Sequence, residues 1–141
     1  MSKTYNIKQV IVVNKALNMR KGKIAAQAAH ASMKVFFDRK IEYFQASVPY
    51  AVDDPHQMLI SLTHEMKEWV NGSFAKVCVS VDSEQELLDV YDKAREANLP
   101  CSLITDAGRT EFNGVPTKTV VAIGPANSED IDKITGSLKL L

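Results

Sequence analysis

The chain has no excess charge of either sign: 17 lysines and arginines are matched by 17 aspartates and glutamates over 141 residues. That balance excludes a global field able to draw in nucleic acid, so any polyanion must be met by a local basic patch. Cysteine is scarce, with only Cys78 and Cys101 and no Cys-x-x-Cys spacing. A disulfide framework is thereby excluded, and two free, inert thiols in a reducing compartment are expected. His30 and the two thiols are scattered, without metal-ligand spacing, so no metal site is expected. No Gly-x-Ser-x-Gly elbow occurs, and no run of about 18 apolar residues could span a bilayer. The segment Met1-Ser2-Lys3-Thr4-Tyr5 is too polar for a signal peptide, which leaves the cytoplasm as the expected location. Apolar residues at 45% and charged residues at 24% suit one soluble domain with a real core.

Within that domain, β-rich runs alternate with helical patterns. Ile7 to Val13 is continuous enough for a buried strand. A helix is expected to start between Met19 and Gly22, with Ile24, Ala28, Ala31, Val35 and Phe36 on its core face. Asp54, Pro55 and Gln57 read as a second helix start, with Leu59, Leu62, Met66 and Trp69 or Val70 as its apolar stripe. Phe74 to Val81 is a strand in which Cys78 is expected to be buried. Ser83 and Glu86 form a capping box for the next helix. Cys101 to Thr105 and Thr117 to Gly124 are two further strands, and Pro125 and Ser128 open a final helix using Ile131, Ile134 and Leu138. The alternation predicts a single-domain α/β sandwich with a mainly parallel or mixed sheet. No internal repeat appears.

Two segments carry chemistry. Lys21-Gly22-Lys23 flanks a helix start, where free N–H groups and the helix dipole already favour an anion and Gly22 leaves the main chain open. Gln27 lies one turn past Lys23 on the same face. A P-loop does not fit, because Ile24 follows Lys23 where Ser or Thr is needed. In Asp106-Ala107-Gly108-Arg109-Thr110, an acid, a guanidinium and a hydroxyl stand together after a strand. Ligands of α/β sheets gather at such strand ends. Each segment has a plainer alternative: a solvated helix terminus for the lysines and an ordinary Asp-Gly turn for the other. His30 reads as a packed, hydrogen-bonded core histidine.

At these residues the chain resembles the type 2 (archaeal and eukaryotic-type) peptidyl-tRNA hydrolases. The likeness covers Lys8 to Val13, Lys21 to Ala31, Ser102 to Thr110 and Ile123 to Leu141, in order and spacing. It implies a four-stranded mixed sheet with helices on both faces, no metal or other cofactor, and a homodimer. It also implies hydrolysis of the ester joining a peptide to the 3′ ribose of tRNA. The catalytic positions it implies are Lys21, Asp106 and Thr110, beside Gln27 and His30. Arg20, Lys23 and Arg109 would meet phosphates of the acceptor stem. Asn14 and Ala16 replace an arginine and an acid of the family pattern, and residues 41–64 form a longer connection than compact members carry. A non-catalytic RNA- or protein-binding module on the same fold is the alternative, with a small-molecule phosphate enzyme behind it.

Overall fold

The computed structural model describes residues 5–41 and 56–141. Its elements in chain order are β1 (Ile7–Asn14), a 3₁₀ turn (Lys15–Leu17), α1 (Lys21–Phe37), α2 (His64–Asn71), β2 (Lys76–Val81), α3 (Glu84–Glu96), β3 (Cys101–Asp106), β4 (Thr117–Asn127), α4 (Ser128–Thr135) and β5 (Lys139–Leu140). The strands form one mixed sheet in the order β3-β4-β1-β2-β5. β1 and β2 are parallel, while β4 runs antiparallel to both of its neighbours, β1 and β3. β1, β2 and β3 therefore end at the same rim of the sheet.

Period-two alternation sorts the strand side chains into two cores. Val10, Val12, Val79, Val81, Val121 and Ile123 meet Leu87 and Val90 of α3 and Ile131 of α4 on one face. Ile11, Val13, Ile104, Val120 and Ala122 meet Ala31 and Val35 of α1 and Met66 of α2 on the other. The Ser83 cap forms as expected, its hydroxyl accepting from Glu86 N at 3.1 Å, and Glu86 returns to accept from Asp82 N at 2.8 Å.

Several expectations give way. The sheet has five strands where four were expected. Gly136 ends α4, and Leu138 turns back against the α3/α4 core instead of continuing the helix. The chain then pairs with β2 at Val79↔Leu140 and Ser80↔Lys139. β4 runs on through Gly124 and Pro125 to Asn127, so Pro125 lies in a strand and the helix opens only at Ser128. The middle helix starts at His64, because Thr63 Oγ1 accepts from Met66 N at 3.0 Å. Leu59 and Ser61 are tied instead to Ile41 and Arg39 by main-chain bonds of 2.8 and 3.1 Å, which holds this stretch out of the helix. Asp54 and Pro55 lie outside the described residues, as does most of the 41–64 connection. Cys78 is exposed: it pairs with Ile11 on the α1/α2 side of β2, outside the cluster of buried side chains on that face.

Candidate active site

The two segments singled out in the sequence meet at the rim where β1 and β3 end. β1 leads through the 3₁₀ turn into α1. The Asn14 side chain caps that turn by accepting from Ala16 N at 3.2 Å, which explains an asparagine at this position. α1 begins at Lys21 and lies across β4, β3 and β1. Helical spacing turns Lys23 and Gln27 toward the sheet beneath, and Gln27 is buried.

Lys23 is the lysine that reaches the acid. Its Nζ donates to Asp106 Oδ1 at 2.9 Å and to Thr110 Oγ1 at 3.0 Å, and it lies 5.7 Å from the centre of the Phe112 ring. Gln27 Nε2 donates to the same Asp106 oxygen at 3.3 Å. The other carboxylate oxygen accepts from Gly108 N at 2.9 Å. Gly108 has φ +80°, and a methyl there would come within 2.3 Å of the Val115 carbonyl oxygen, so the turn requires glycine. The hydrogen bond from Lys23 is the strongest influence on Asp106 and lowers its pKa below the ordinary carboxylate value. Desolvation opposes that shift, and the Gly108 N–H, the Lys23 charge and Gln27 reinforce it.

Beneath this cluster lies a residue that the motif reading passed over. Thr119 of β4 is fully buried, and its hydroxyl donates to Gln27 Oε1 at 2.5 Å. That bond fixes which end of the amide faces Asp106. In sequence Thr119 is one more β-branched residue of a strand. Period two would have put it on the Val121 face, beside α3 and α4; the irregularity in the β3–β4 pairing between Ile104↔Val120 and Thr105↔Lys118 turns it to α1 instead, so no signal in the sequence marked it.

The remaining candidates stand around the cluster, not in it. Lys21 is exposed in the first turn of α1 and makes no contact with Asp106. Arg20 is exposed and approaches only Glu111, at 3.9 Å. Arg109 is exposed on the turn. A side chain at Gly22 would meet nothing within 4 Å, so the helix start is open to a ligand. His30 is exposed on α1 where a packed core residue was expected, because its position rotates it off the face that carries Ala31. Among the described residues, no group of three His, Cys, Asp or Glu side chains is arranged to hold a metal, and no helix is long and apolar enough to cross a membrane. A half-buried ammonium–carboxylate pair with an adjoining exposed hydroxyl, at an open helix start ringed by cations, can hold a water beside a carbonyl and stabilise negative charge developing on it.

The model of a family described as "Peptidyl-tRNA hydrolase PTH2" matches residues 7–141. A peptidyl-tRNA hydrolase of Methanocaldococcus jannaschii is 45% identical, over 96% of this chain and 100% of its own. One from Halobacterium salinarum is 39% identical over 95% and 99% of the two chains. A probable peptidyl-tRNA hydrolase 2 of Drosophila melanogaster is 37% identical over 96% of this chain and 62% of its own. A solved structure of a protein of unknown function from Agrobacterium tumefaciens, at 13% identity, shares the fold with a TM-score of 0.55 and covers 98% of this chain and 99% of its own.

Proposed function

The chain belongs to the peptidyl-tRNA hydrolase PTH2 family and hydrolyses peptidyl-tRNA, and from that premise we propose that Lys23, Asp106 and Thr110 carry the reaction. The observation that supports this is the contact of Lys23 Nζ with both Asp106 and Thr110, at 2.9 and 3.0 Å. An ammonium has three donors, and two are engaged here. The third is free to meet the ester carbonyl oxygen, whose charge grows as water attacks.

Asp106 is held as the anion. Its lowered pKa makes it a weak proton acceptor, so its first task is to orient the attacking water. As the tetrahedral intermediate forms, the water proton passes to the carboxylate. As the C–O bond breaks, that proton is delivered to the 3′ oxygen of the ribose. Thr110 accepts a hydrogen bond from Lys23 through its oxygen, which leaves its own O–H to donate to that departing oxygen. Gln27 and Thr119 act through Asp106 as positioning residues. This assigns Lys23 the electrostatic role that the family resemblance had suggested for Lys21, and moves Lys21 to the phosphate-binding group with Arg20 and Arg109. His30 borders the site on the exposed side of α1.

The proposal extends to a single domain over residues 1–141, acting on the acceptor stem of the tRNA in the cytoplasm as a homodimer and returning drop-off products to translation. The first experiment is release of labelled N-acetyl-aminoacyl acid from tRNA by the purified protein with EDTA present, beside Asp106→Asn. Release that survives EDTA and is lost in the variant supports the assignment. A variant of undiminished turnover removes Asp106 from the mechanism, and release abolished by EDTA removes metal independence.

A further inference from the structure

A peptidyl-tRNA presents the enzyme with a different peptide each time, and all that these peptides share is the main chain. A site that serves them all has to recognise that main chain. The outer edge of β3 offers such recognition beside the reacting group. β3 is the last strand of the sheet, and among the described residues no strand pairs with its outer side. Alternate residues of an edge strand turn their N–H and C=O groups outward, unpaired. β3 ends in Asp106 itself.

α1 supplies a wall beside this edge. Ser32 donates to Gln9 of β1 at 2.6 Å, which sets one flank of the helix toward the sheet centre. Lys23 bonds Asp106, which sets the opposite flank toward β3. Helical periodicity places Ala26, His30 and Phe37 in a stripe descending from Lys23 on that second flank. All three are exposed, and the small Ala26 leaves room for a chain to pass close to the helix.

We propose that the peptidyl part of the substrate adds to the sheet as a further strand along the free edge of β3, against the Ala26–His30–Phe37 flank of α1. The inference rests on the hydrolase reading above. The ester lies at the carboxyl end of the peptide and must sit at Asp106, while the amino end extends away from it. The added strand therefore runs parallel to β3, from the level of Cys101 to that of Asp106. At a rise of about 3.3 Å per residue, about five peptidyl residues cover the edge. Main-chain bonds hold the substrate, and its side chains alternate between α1 and solvent, so sequence matters little.

The test uses peptidyl-tRNAs of increasing length, and a set in which single amides of a longer peptide are N-methylated in turn. N-acetyl-aminoacyl-tRNA is the short reference. KM should fall with length until about five residues and then level off, with kcat unchanged. N-methylation should raise KM by roughly two- to tenfold at alternate positions and leave those between unaffected. A KM indifferent to length overturns the proposal. A length effect without that alternation also overturns it, since apolar contact with α1 would then be the cause. If the short reference itself is not hydrolysed, the hydrolase reading fails instead, which separates the two.

Discussion

Replacing Thr119 by valine keeps the shape of a buried side chain and removes one hydroxyl. In the native protein that hydroxyl donates to Gln27 Oε1, and both residues are buried. The valine leaves the amide oxygen without a donor and without water. An unsatisfied buried acceptor costs about 1–3 kcal/mol. In a domain of this size each kcal/mol lowers Tm by about 2–4 °C, so a fall of about 2–12 °C is expected. The amide is also freed to turn, which weakens its 3.3 Å bond to Asp106. Loss of that bond is worth about 1 kcal/mol, or roughly a fivefold drop in kcat with KM little changed. Calorimetry and steady-state hydrolysis read the two effects. Thr119→Ser keeps the hydroxyl and should restore kcat. The decisive comparison is a cycle with Gln27→Leu, which removes the acceptor. In that background Thr119→Val should have almost no effect on kcat. If it still lowered kcat about fivefold, the Thr119–Gln27–Asp106 chain would not be what positions the carboxylate.

The two lysines of α1 should separate cleanly. Lys23→Met is expected to lower kcat by about 10²–10³-fold, as for loss of an oxyanion donor, whereas Lys21→Met should raise KM and reduce its salt dependence while sparing kcat. Asp106 has a lowered pKa in the folded protein, so the stability it contributes is present above the unfolded carboxylate value of about 3.9 and is lost as pH falls through the lower folded one. Thermal melts from pH 6 downward should therefore show a steeper acid loss in the native protein than in Asp106→Asn, and parallel curves would refute the shift. Gly108→Ala puts a methyl where the Val115 carbonyl oxygen stands and an L-residue at φ +80°. It should lower Tm by several degrees and kcat with it, because the turn can no longer offer its N–H to Asp106, and an unchanged kcat would count against the role of that N–H.

How far the sequence led can be judged residue by residue. Strands and helices with strong periodicity or a capping box were legible because local forces alone specify them, as with β1 and the Ser83 start of α3. β5 was not, because two exposed residues form a strand only when β2 offers an open edge. The apolar stripe Leu59–Trp69 suggested one long helix, and main-chain pairing with residues 39–41 overrode that pattern for its first half. In the candidate site, residue types and turn position picked out Asp106, Thr110 and Gln27, which the fold brings together around Lys23. Choosing between Lys21 and Lys23 needed the rotation of α1 on the sheet, which depends on tertiary packing. Thr119 needed the same information, since only strand order puts it under Gln27.

The place of β4 in the sheet has a consequence for the order in which the enzyme becomes competent. β4 is the last long strand to be synthesised, yet it lies between β1, which leads into α1, and β3, which carries Asp106. A segment ending at Thr110 contains Lys23, Asp106 and Thr110, yet without β4 nothing bridges β3 to β1. Asp106 arrives at Lys23 only when β3 and β4 dock together as a hairpin, with Thr119 arriving in the same step. Assembly of the reaction centre and closure of the sheet are thus one event.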